Sequence, residues 1–329
     1  PPHSGIRCAE PPAPWSLMLI NLLPDFFAVL NSTDRVAAYQ QYFDAHRARL
    51  AAYWHNYVFD PDSEHFLDVV RMTAQADRSD LRTMLERTDV VALARETEAR
   101  CAELLGTDID LDVVLMVGVG GANAGELVVA GRGIAFVCLE HFTGIANPET
   151  QGLGLDPELI PLWLAHEIAH VVRYTSPASR SEMRQLIDEA DGYYSYWESG
   201  RRASVRELIV NEGLAVSVAR LVSPGHAAWE YYGYGRRQYQ RVRELETHIT
   251  RAITQEFDHH ALGLRLRYLM GGTSDDARTV DRIVIPERAG YFVGARMVEA
   301  AIEQRGIAWA IRASAEEIVE VARTASVSA

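Results

Sequence analysis

The feature that most constrains this chain is the pattern H-E-x-x-H in the segment PLWLAHEIAH, residues 161–170. Side chains four residues apart lie on the same face of an α-helix, so His166 and His170 can bind one metal ion together. Glu167 tilts toward the same ion, where it can take a proton from a metal-activated water. The alternative is a chance match, which a chain of this length and composition yields in roughly 3 of 100 cases.

Signals around the motif favour a helix there and so favour the metal site over chance. Asp156 is suited to cap the start of a helix, Pro157 suits the first helical position, and Glu158 suits the first turn. Apolar residues on both sides of the motif would bury this helix in the protein.

A catalytic metal site needs a third protein ligand, and Glu212 is the candidate. Ser204 and Glu207 have the spacing of a capping box, which predicts a second helix that ends near Ser223. Glu212 then lies among apolar residues, where a carboxylate is costly unless it binds a metal or pairs with an arginine. The small residues Gly213 and Ala215 would let this helix approach the motif helix closely.

Four acidic residues in a polar segment are rivals for the third ligand, but that segment is typical of a solvated face: Glu182, Asp188, Glu189 and Asp191.

Composition excludes several classes of function. The formal net charge is −13, which disfavours phosphate backbones and hence nucleic acid as a partner. All 32 basic residues are arginine, so chemistry that needs a lysine is excluded.

The apolar stretch 17–30 is interrupted by Asn21, Pro24 and Asp25, so it predicts neither a signal sequence nor a membrane span. Three cysteines favour a cytoplasmic location over secretion, and the start at Pro1 rather than Met leads us to expect an upstream segment.

The order of the segments predicts a mostly helical α+β fold. Helices are expected over 34–58 and 79–105, then short strands at 111–117, 127–130 and 134–139, then helices from 156 almost to the end. A loop at 271–281 and an apolar run at 283–285 interrupt the last part. We divide the chain into an N-terminal helical region (1–105), a catalytic core (106–223) and a C-terminal helical region (224–329) that completes the cleft.

Residues 131–306 resemble the gluzincin metallopeptidases, and most closely a bacterial family described as predicted zinc-dependent proteases. The resemblance is carried by the segments GIAFVCLEHF, LAHEIAHVVRY, NEGLA and GYFVGARMVE. It implies a zincin-like core with a small mixed sheet, and one zinc ion bound by His166, His170 and Glu212 with Glu167 as the base. The N-terminal third carries no recognisable motif.

Weaker signals add candidates around this site. In zincins the strand before the motif helix is the sheet edge that pairs with an extended peptide, which would be residues 133–140 here; an ordinary core strand is the alternative. Tyr291 in GYFVG is the first candidate to stabilise the oxyanion, with a buried core tyrosine as the alternative. His259 and His260 are second candidates for that role, and His141 is a candidate to line the cleft.

Two further segments, one rich in tyrosine and one rich in glycine, are interpreted as structural. The tyrosines at 231, 232, 234 and 239, with Arg236 and Arg237, indicate a helix face or groove wall. The segment VGVGGANAG (117–125) lacks the features of a nucleotide loop and predicts a glycine-rich hairpin connection.

These observations predict a zinc peptidase that acts on a peptide or small amide substrate, with no nucleic-acid or membrane partner. A metal-dependent hydrolase or other metalloenzyme acting on a small molecule is the first alternative, because the same ligands and fold serve both. A non-catalytic module in which zinc joins two helices is the second. Glu167 argues against the module, because a structural site needs no base.

Overall fold

Short apolar runs form a four-stranded sheet in the computed structural model, which describes residues 17–106 and 109–328. Its strands are β1 (Leu17–Asn21), β2 (Leu111–Met116), β3 (Ala124–Val129) and β4 (Arg132–Cys138). The order across the sheet is β1-β2-β4-β3, with β3 antiparallel to β4 and the other pairs parallel. Strands β2 to β4 confirm the predicted ones within a few residues, whereas β1 was not predicted.

The sheet decides between two alternatives and corrects one expectation. The strand before the motif helix, β4, lies between β2 and β3, so it is a core strand and the edges of the sheet are β1 and β3. The glycine-rich segment joins β2 to β3, which do not pair with each other, so it is not a hairpin connection. The hairpin is instead the tight turn at Ala130 and Gly131, where both residues have positive φ. Sequence patterns report strands but not their lateral order, which packing decides.

After β1, the described part of the N-terminal region is helical, and helices cover the two ranges in which the sequence predicts them. Its helices are α1 (Leu23–Asn31), α2 (Arg35–Ala45), α3 (Arg47–Tyr57), α4 (Phe66–Gln75), α5 (Ser79–Arg87) and α6 (Val90–Leu105). The helix expected over 34–58 is interrupted at His46, and the one over 79–105 is interrupted before Asp89, whose carboxylate caps α6. Gly106 ends α6 with a φ of 73°, as the sequence indicated. Residues 1–16 lie outside the described part.

The rest of the chain is mostly helical. Two short hairpins, β5 (Ala146–Asn147) with β6 (Gly152–Leu153) and β7 (Thr279–Val280) with β8 (Ile283–Val284), interrupt it. The helices are α7 (Ile160–Thr175), α8 (Glu182–Glu189), α9 (Tyr196–Arg202), α10 (Val205–Val222), α11 (Arg236–Glu244), α12 (Glu246–Gln255), α13 (Leu262–Leu269), α14 (Asp275–Arg278), α15 (Ala289–Arg305), α16 (Ile307–Ala310) and α17 (Ala315–Ser328). Within the described ranges, no helix is both long and apolar enough to cross a bilayer.

Helix α7 packs on one face of the sheet, where Gly133 of β4 leaves room for Val171: a Cβ at Gly133 would lie 2.2 Å from the valine side chain. The opposite face packs against α3 through Phe136, whose ring lies 5.3 Å from that of Tyr53. The residues of β2 and β4 are therefore buried on both faces, which explains their continuous apolar runs.

A buried ion pair joins α7 to α10. Arg173 donates to both carboxylate oxygens of Glu207, at 3.0 and 2.9 Å, and neither side chain is more than 1 % exposed. Arg173 also donates to the carbonyl oxygens of Ile311 and Ala313, at 3.2 and 2.8 Å. One guanidinium group therefore connects the motif helix, the second helix and the turn before α17.

Helix α10 makes its closest approach to α15 rather than to α7. A Cβ on Gly213 would lie 2.2 Å from the carbonyl carbon of Gly294, and one on Gly294 would lie 2.2 Å from the Ile209 carbonyl oxygen. The expectation that Gly213 serves the contact with the motif helix is therefore wrong. The two glycines instead let the backbones of α10 and α15 touch.

Gly294→Ala should destabilise the protein by about 1–3 kcal/mol, because the added methyl group must push the two backbones apart. The measurement is urea unfolding followed by circular dichroism. Gly263→Ala is the matched control: a Cβ at this exposed position in α13 meets no atom within 4 Å. The control should be neutral or stabilising by up to about 1 kcal/mol, since alanine favours the helix. Equal stability of the two variants would contradict the proposed tight crossing.

Candidate metal centre and cavity

Two well-capped helices position the motif residues. Asp156 accepts a hydrogen bond from the Glu158 N–H at 2.9 Å and caps a short 3₁₀ turn, Pro157–Leu159, that leads directly into α7. Ser204 accepts from the Glu207 N–H at 3.2 Å and starts α10, as the sequence predicted. The Glu207 side chain does not return to Ser204, because it is engaged by Arg173.

Three ligand atoms converge between these helices. His166 Nε2 lies 3.1 Å from His170 Nε2 and 3.2 Å from Glu212 Oε2, and His170 Nε2 lies 3.4 Å from the same oxygen. Ligand atoms about 2.0–2.1 Å from a tetrahedral zinc ion lie roughly 3.3 Å from one another. Two imidazoles and one carboxylate at these separations therefore fit a divalent zinc ion.

Packing and charge hold the ligands in this arrangement. The His166 ring stacks on that of Tyr291, with centroids 5.9 Å apart, and the His170 ring stacks on that of Tyr174 at 5.8 Å. Burial lowers the pKa of His166. Burial also acts to lower the pKa of His170, but the Glu212 carboxylate outweighs it and raises that pKa to about 10. Burial acts to raise the pKa of Glu212, but His170 and His166 hold it below its usual value, so this ligand stays ionised.

Glu167 lies beside a second carboxyl group that the sequence analysis did not identify. That group belongs to Glu126 of β3, on the face of the sheet against α7. Burial raises the pKa of Glu167 well above its ordinary value, and the charge of Glu126 raises it further. Glu126 is held by Tyr57, whose hydroxyl lies 2.7 Å from Oε2, and by the Tyr174 hydroxyl, 3.3 Å from Oε1. The centre thus contains a pair of adjacent carboxyl groups next to the three ligands.

These groups open onto a cavity of about 360 Å³. Its polar lining comprises the ligands, Glu167, Glu126, Asn56, Asn123, Arg265, Arg288, and the tyrosines at 57, 196 and 291. Its apolar lining comprises Trp163, Trp197, Leu269, Met270, Ala122 and Ala124, with Gly121 and Gly271 completing the wall. This volume is at the small end of the roughly 300–1,000 Å³ that ligand sites span.

The structure brings Tyr291 into this centre. It lies in the first turn of α15, and its ring is the one stacked on His166. The guanidinium group of Arg288 lies 4.4 Å from the centroid of the Tyr291 ring. Burial raises the pKa of the Tyr291 hydroxyl well above its ordinary value, so it is a neutral hydrogen-bond donor.

Other sequence candidates lie elsewhere. His259 and His260 are exposed, and His260 Nδ1 contacts the Arg202 carbonyl oxygen, so neither is an alternative to Tyr291. His141 is buried next to Glu140, at 3.8 Å, rather than in the cavity wall.

The four rival acidic residues do not join the described ligand cluster. The tyrosine segment after α10 packs against α15, where the Tyr232 and Phe292 rings lie 5.4 Å apart.

The β3 edge of the sheet is partly covered beside the cavity. The Tyr57 hydroxyl accepts a hydrogen bond from the Glu126 N–H at 3.1 Å and also lies 3.0 Å from the Glu126 carbonyl oxygen. Farther along β3, the Val128 carbonyl accepts from the Tyr194 N–H at 3.0 Å. The outward-facing backbone groups of β3 at these two residues are therefore engaged by the protein itself.

Sequence reasoning missed Glu126, Arg265 and Arg288, which lie far from the motif along the chain. One signal was available for Glu126: it is a carboxylate in the otherwise apolar run AGELVV. Arg265 lies in the segment ALGLRLRYLM and Arg288 in the segment IPERAGYF, and nothing in their spacing relates them to α7. Only the folded chain brings them to the same cavity.

Comparison with known families gives one match. Residues 193–320 match the sequence profile of a family described as predicted Zn-dependent protease (DUF2268). The matched segment includes Glu212 and Tyr291 and begins after the H-E-x-x-H motif, so it overlaps the C-terminal part of the segment on which the resemblance rested. The comparison with curated proteins and the comparison with solved structures gave no match. The family description suggests a zinc-dependent protease.

Glu212→Ala should lower zinc affinity by at least about tenfold, because it removes the only carboxylate from a three-ligand set. Metal analysis after dialysis against a graded series of chelator concentrations measures this. Glu189→Ala is the control, since Glu189 is one of the rival ligands and is exposed. Unchanged affinity in the Glu212 variant, or an equal loss in the control, would show that the third ligand is another residue.

Proposed function

We propose that this chain is a zinc-dependent peptidase of the gluzincin type, with one zinc ion held by His166, His170 and Glu212. The observation that carries the proposal is the convergence of two imidazole Nε2 atoms and one carboxylate oxygen within 3.4 Å of one another, beside Glu167. The family description for residues 193–320, a segment that contains Glu212, supports both the zinc and the protease activity.

Glu167 is the proposed general base. A bound zinc ion would supply Lewis acidity, which polarises a carbonyl group and makes water more acidic. Glu167 would accept the proton from the attacking water and return it to the leaving amine. Glu167 is 5 % exposed and lines the cavity, so its carboxyl group can reach a water molecule there while it is largely shielded from bulk solvent.

Tyr291 is the proposed donor to the oxyanion. Its hydroxyl can donate a hydrogen bond to the developing negative charge and carries no charge of its own. The stacking of its ring on His166 supports this role, because it fixes the tyrosine next to a ligand. The alternative, a purely structural tyrosine, predicts a loss of stability rather than of turnover on removal of the hydroxyl.

A metalloenzyme that acts on a small molecule is the second candidate. The small cavity and the covered edge of β3 favour it, because an extended polypeptide would need the backbone groups that Tyr57 and Tyr194 engage. The non-catalytic module is not favoured, because Glu167 faces the cavity beside the ligands instead of acting as a fourth one.

We also propose that the zincin-like core spans 106–223 and that residues 224–329 complete the cleft. The cavity wall supports this division, because Arg265, Leu269, Met270, Arg288 and Tyr291 all come from the C-terminal region. The N-terminal region contributes Asn56 and Tyr57 to the same wall, so it belongs to the proposed catalytic unit as well.

Glu167→Gln should retain zinc and lower hydrolysis of short peptides to below about one hundredth of the wild-type rate, because an amide cannot accept the proton. Mass spectrometry of a mixed peptide library measures the cleavage, and metal analysis checks the zinc content. Glu158→Gln, an exposed position just before α7, is the control and should be fully active. Near-normal turnover in Glu167→Gln would remove this residue from its proposed role.

Tyr291→Phe should lower kcat about a hundredfold while zinc content and Tm stay unchanged, since one oxyanion donor is lost. Tyr231→Phe is the contrasting control: its buried hydroxyl donates to the Ser223 carbonyl oxygen at 2.9 Å, away from the cavity. That variant should lose stability by about 1 kcal/mol and keep normal turnover. The same pattern in Tyr291→Phe would identify Tyr291 as structural.

A further inference from the structure

Two arginines in the cavity wall lack a carboxylate partner. Throughout the described ranges, neither Arg265 nor Arg288 forms an ion pair with a carboxylate, although both line the cavity that contains the candidate ligands. Buried or half-buried guanidinium groups are normally paired, because desolvation of an unpaired charge is costly. Their presence in the cavity wall therefore calls for an explanation.

Arg265 is already hydrogen-bonded to the surrounding protein. It is 5 % exposed and donates to the Tyr196 carbonyl oxygen at 2.7 Å and to the hydroxyl groups of Ser199 and Tyr194 at 3.3 Å. Its guanidinium carbon lies 3.4 Å from the centroid of the Tyr196 ring. Arg265 thus contributes a fixed positive charge, with most of its donors directed at the protein.

Arg288 is held in place with its charged end at the cavity. It has a left-handed backbone, with a φ of 55°, immediately before α15, and its carbonyl oxygen accepts from the Tyr234 hydroxyl at 2.6 Å. The guanidinium carbon lies 4.4 Å from the Tyr291 ring centroid and 5.6 Å from that of Trp163. The aromatic faces hold the guanidinium group in place. One of its five N–H groups meets the Tyr291 hydroxyl, and the others can donate to a ligand.

The charge balance of the cavity favours an anionic ligand. Its wall contains three carboxyl groups and two guanidinium groups. A divalent cation on the three ligands would leave the wall with an excess of one positive charge even if every carboxyl group were ionised. A bound monoanion would neutralise that excess, and guanidinium groups bind carboxylates with paired, charge-assisted hydrogen bonds.

The same wall limits the length of the ligand. Tyr57 and Tyr194 occupy the outward backbone groups of β3 at Glu126 and Val128, so a long peptide cannot add as a further strand there. Gly125 fits only because it has no side chain, since a Cβ would lie 2.6 Å from the Tyr57 ring. The cavity is therefore suited to a short molecule with an apolar part against Trp163, Leu269 and Met270.

We propose that Arg288 binds a carboxylate group of a short peptide-like substrate, close to the bond that is cleaved. This inference rests on the proposed function in two respects: the bound zinc ion supplies the excess positive charge, and the bound molecule is a substrate only if it is cleaved. The carboxylate is that of a chain terminus or of an acidic side chain. A peptidase with this contact acts on the ends of short chains or next to acidic residues, and discriminates against neutral amides.

The test compares three probes by isothermal titration calorimetry on the zinc-loaded and the metal-free protein. The probes are N-acetyl-L-phenylalanine, its neutral amide, and N-acetyl-L-glutamic acid α-amide, whose only carboxylate is on the side chain. At least one carboxylate probe should bind the wild-type protein roughly tenfold or more tighter than the amide. Tighter binding of N-acetyl-L-phenylalanine would indicate the carboxylate of a chain terminus. Tighter binding of N-acetyl-L-glutamic acid α-amide would indicate the carboxylate of an acidic side chain.

Variants of Arg288 test whether this side chain binds the carboxylate. Arg288→Gln should abolish the preference for the carboxylate, and Arg288→Lys should retain part of it. Arg282→Gln, an exposed arginine in the preceding turn, is the control and should keep the full preference. Circular dichroism and Tm verify that each variant is folded, and the lysine variant keeps the test valid if the glutamine variant does not fold.

Several outcomes would overturn the proposal. These are equal binding of acid and amide, no detectable binding of either carboxylate probe at 10 mM, or a preference that survives Arg288→Gln because the carboxylate binds the metal instead. Failure of the proposed function is a separate result: a zinc-loaded protein that cleaves no peptide can still show the Arg288-dependent preference. A protein that binds no zinc would lose the excess positive charge of the cavity and should show a weaker preference.

Discussion

The buried pair of Arg173 and Glu207 is the interaction on which the geometry of the metal centre depends. Arg173 lies one turn beyond His170 on α7, and Glu207 lies about one turn before Glu212 on α10. Their paired hydrogen bonds, at 3.0 and 2.9 Å, set the relative position of the two helices that supply the ligands. Loss of either partner would leave the other charge buried, which costs about 3–5 kcal/mol. The spacing of the candidate ligands therefore depends on an ion pair whose loss would lower the stability of the protein.

The glycine crossing of α10 and α15 has a comparable consequence on the other side of the centre. Because the backbones touch at Gly213 and Gly294, the start of α15 lies directly beside the ligands. This places the Tyr291 ring on His166 and brings Arg288 to the cavity. A bulkier residue at the crossing would move both side chains away from the metal ligands, so the two glycines affect the centre without contacting any ligand.

The local parts of the fold follow from the sequence, and the reasons are short-range. Helices α7 and α10 begin at the caps that Asp156 and Ser204 predict, and α6 ends at Gly106. The breaks at His46 and Asp89 were missed, because the apolar periodicity continues across both. The order of the strands was left open, with β4 either an edge strand or a core strand. An apolar run in β3 looks the same as one in β4, whereas the edge position depends on what covers each strand.

The sequence by itself determined which two residues could bind a metal ion together, because His166 and His170 are one helical turn apart on a single element. It also indicated Glu212 as a carboxylate that needs a partner, although the identity of that partner was left open. The tertiary structure alone decided that Glu212 meets the histidines at 3.2 and 3.4 Å and that Glu126, Arg265 and Arg288 share the cavity. These side chains come from elements distant in sequence, and only the packing of helices against the sheet and against each other brings such charges together.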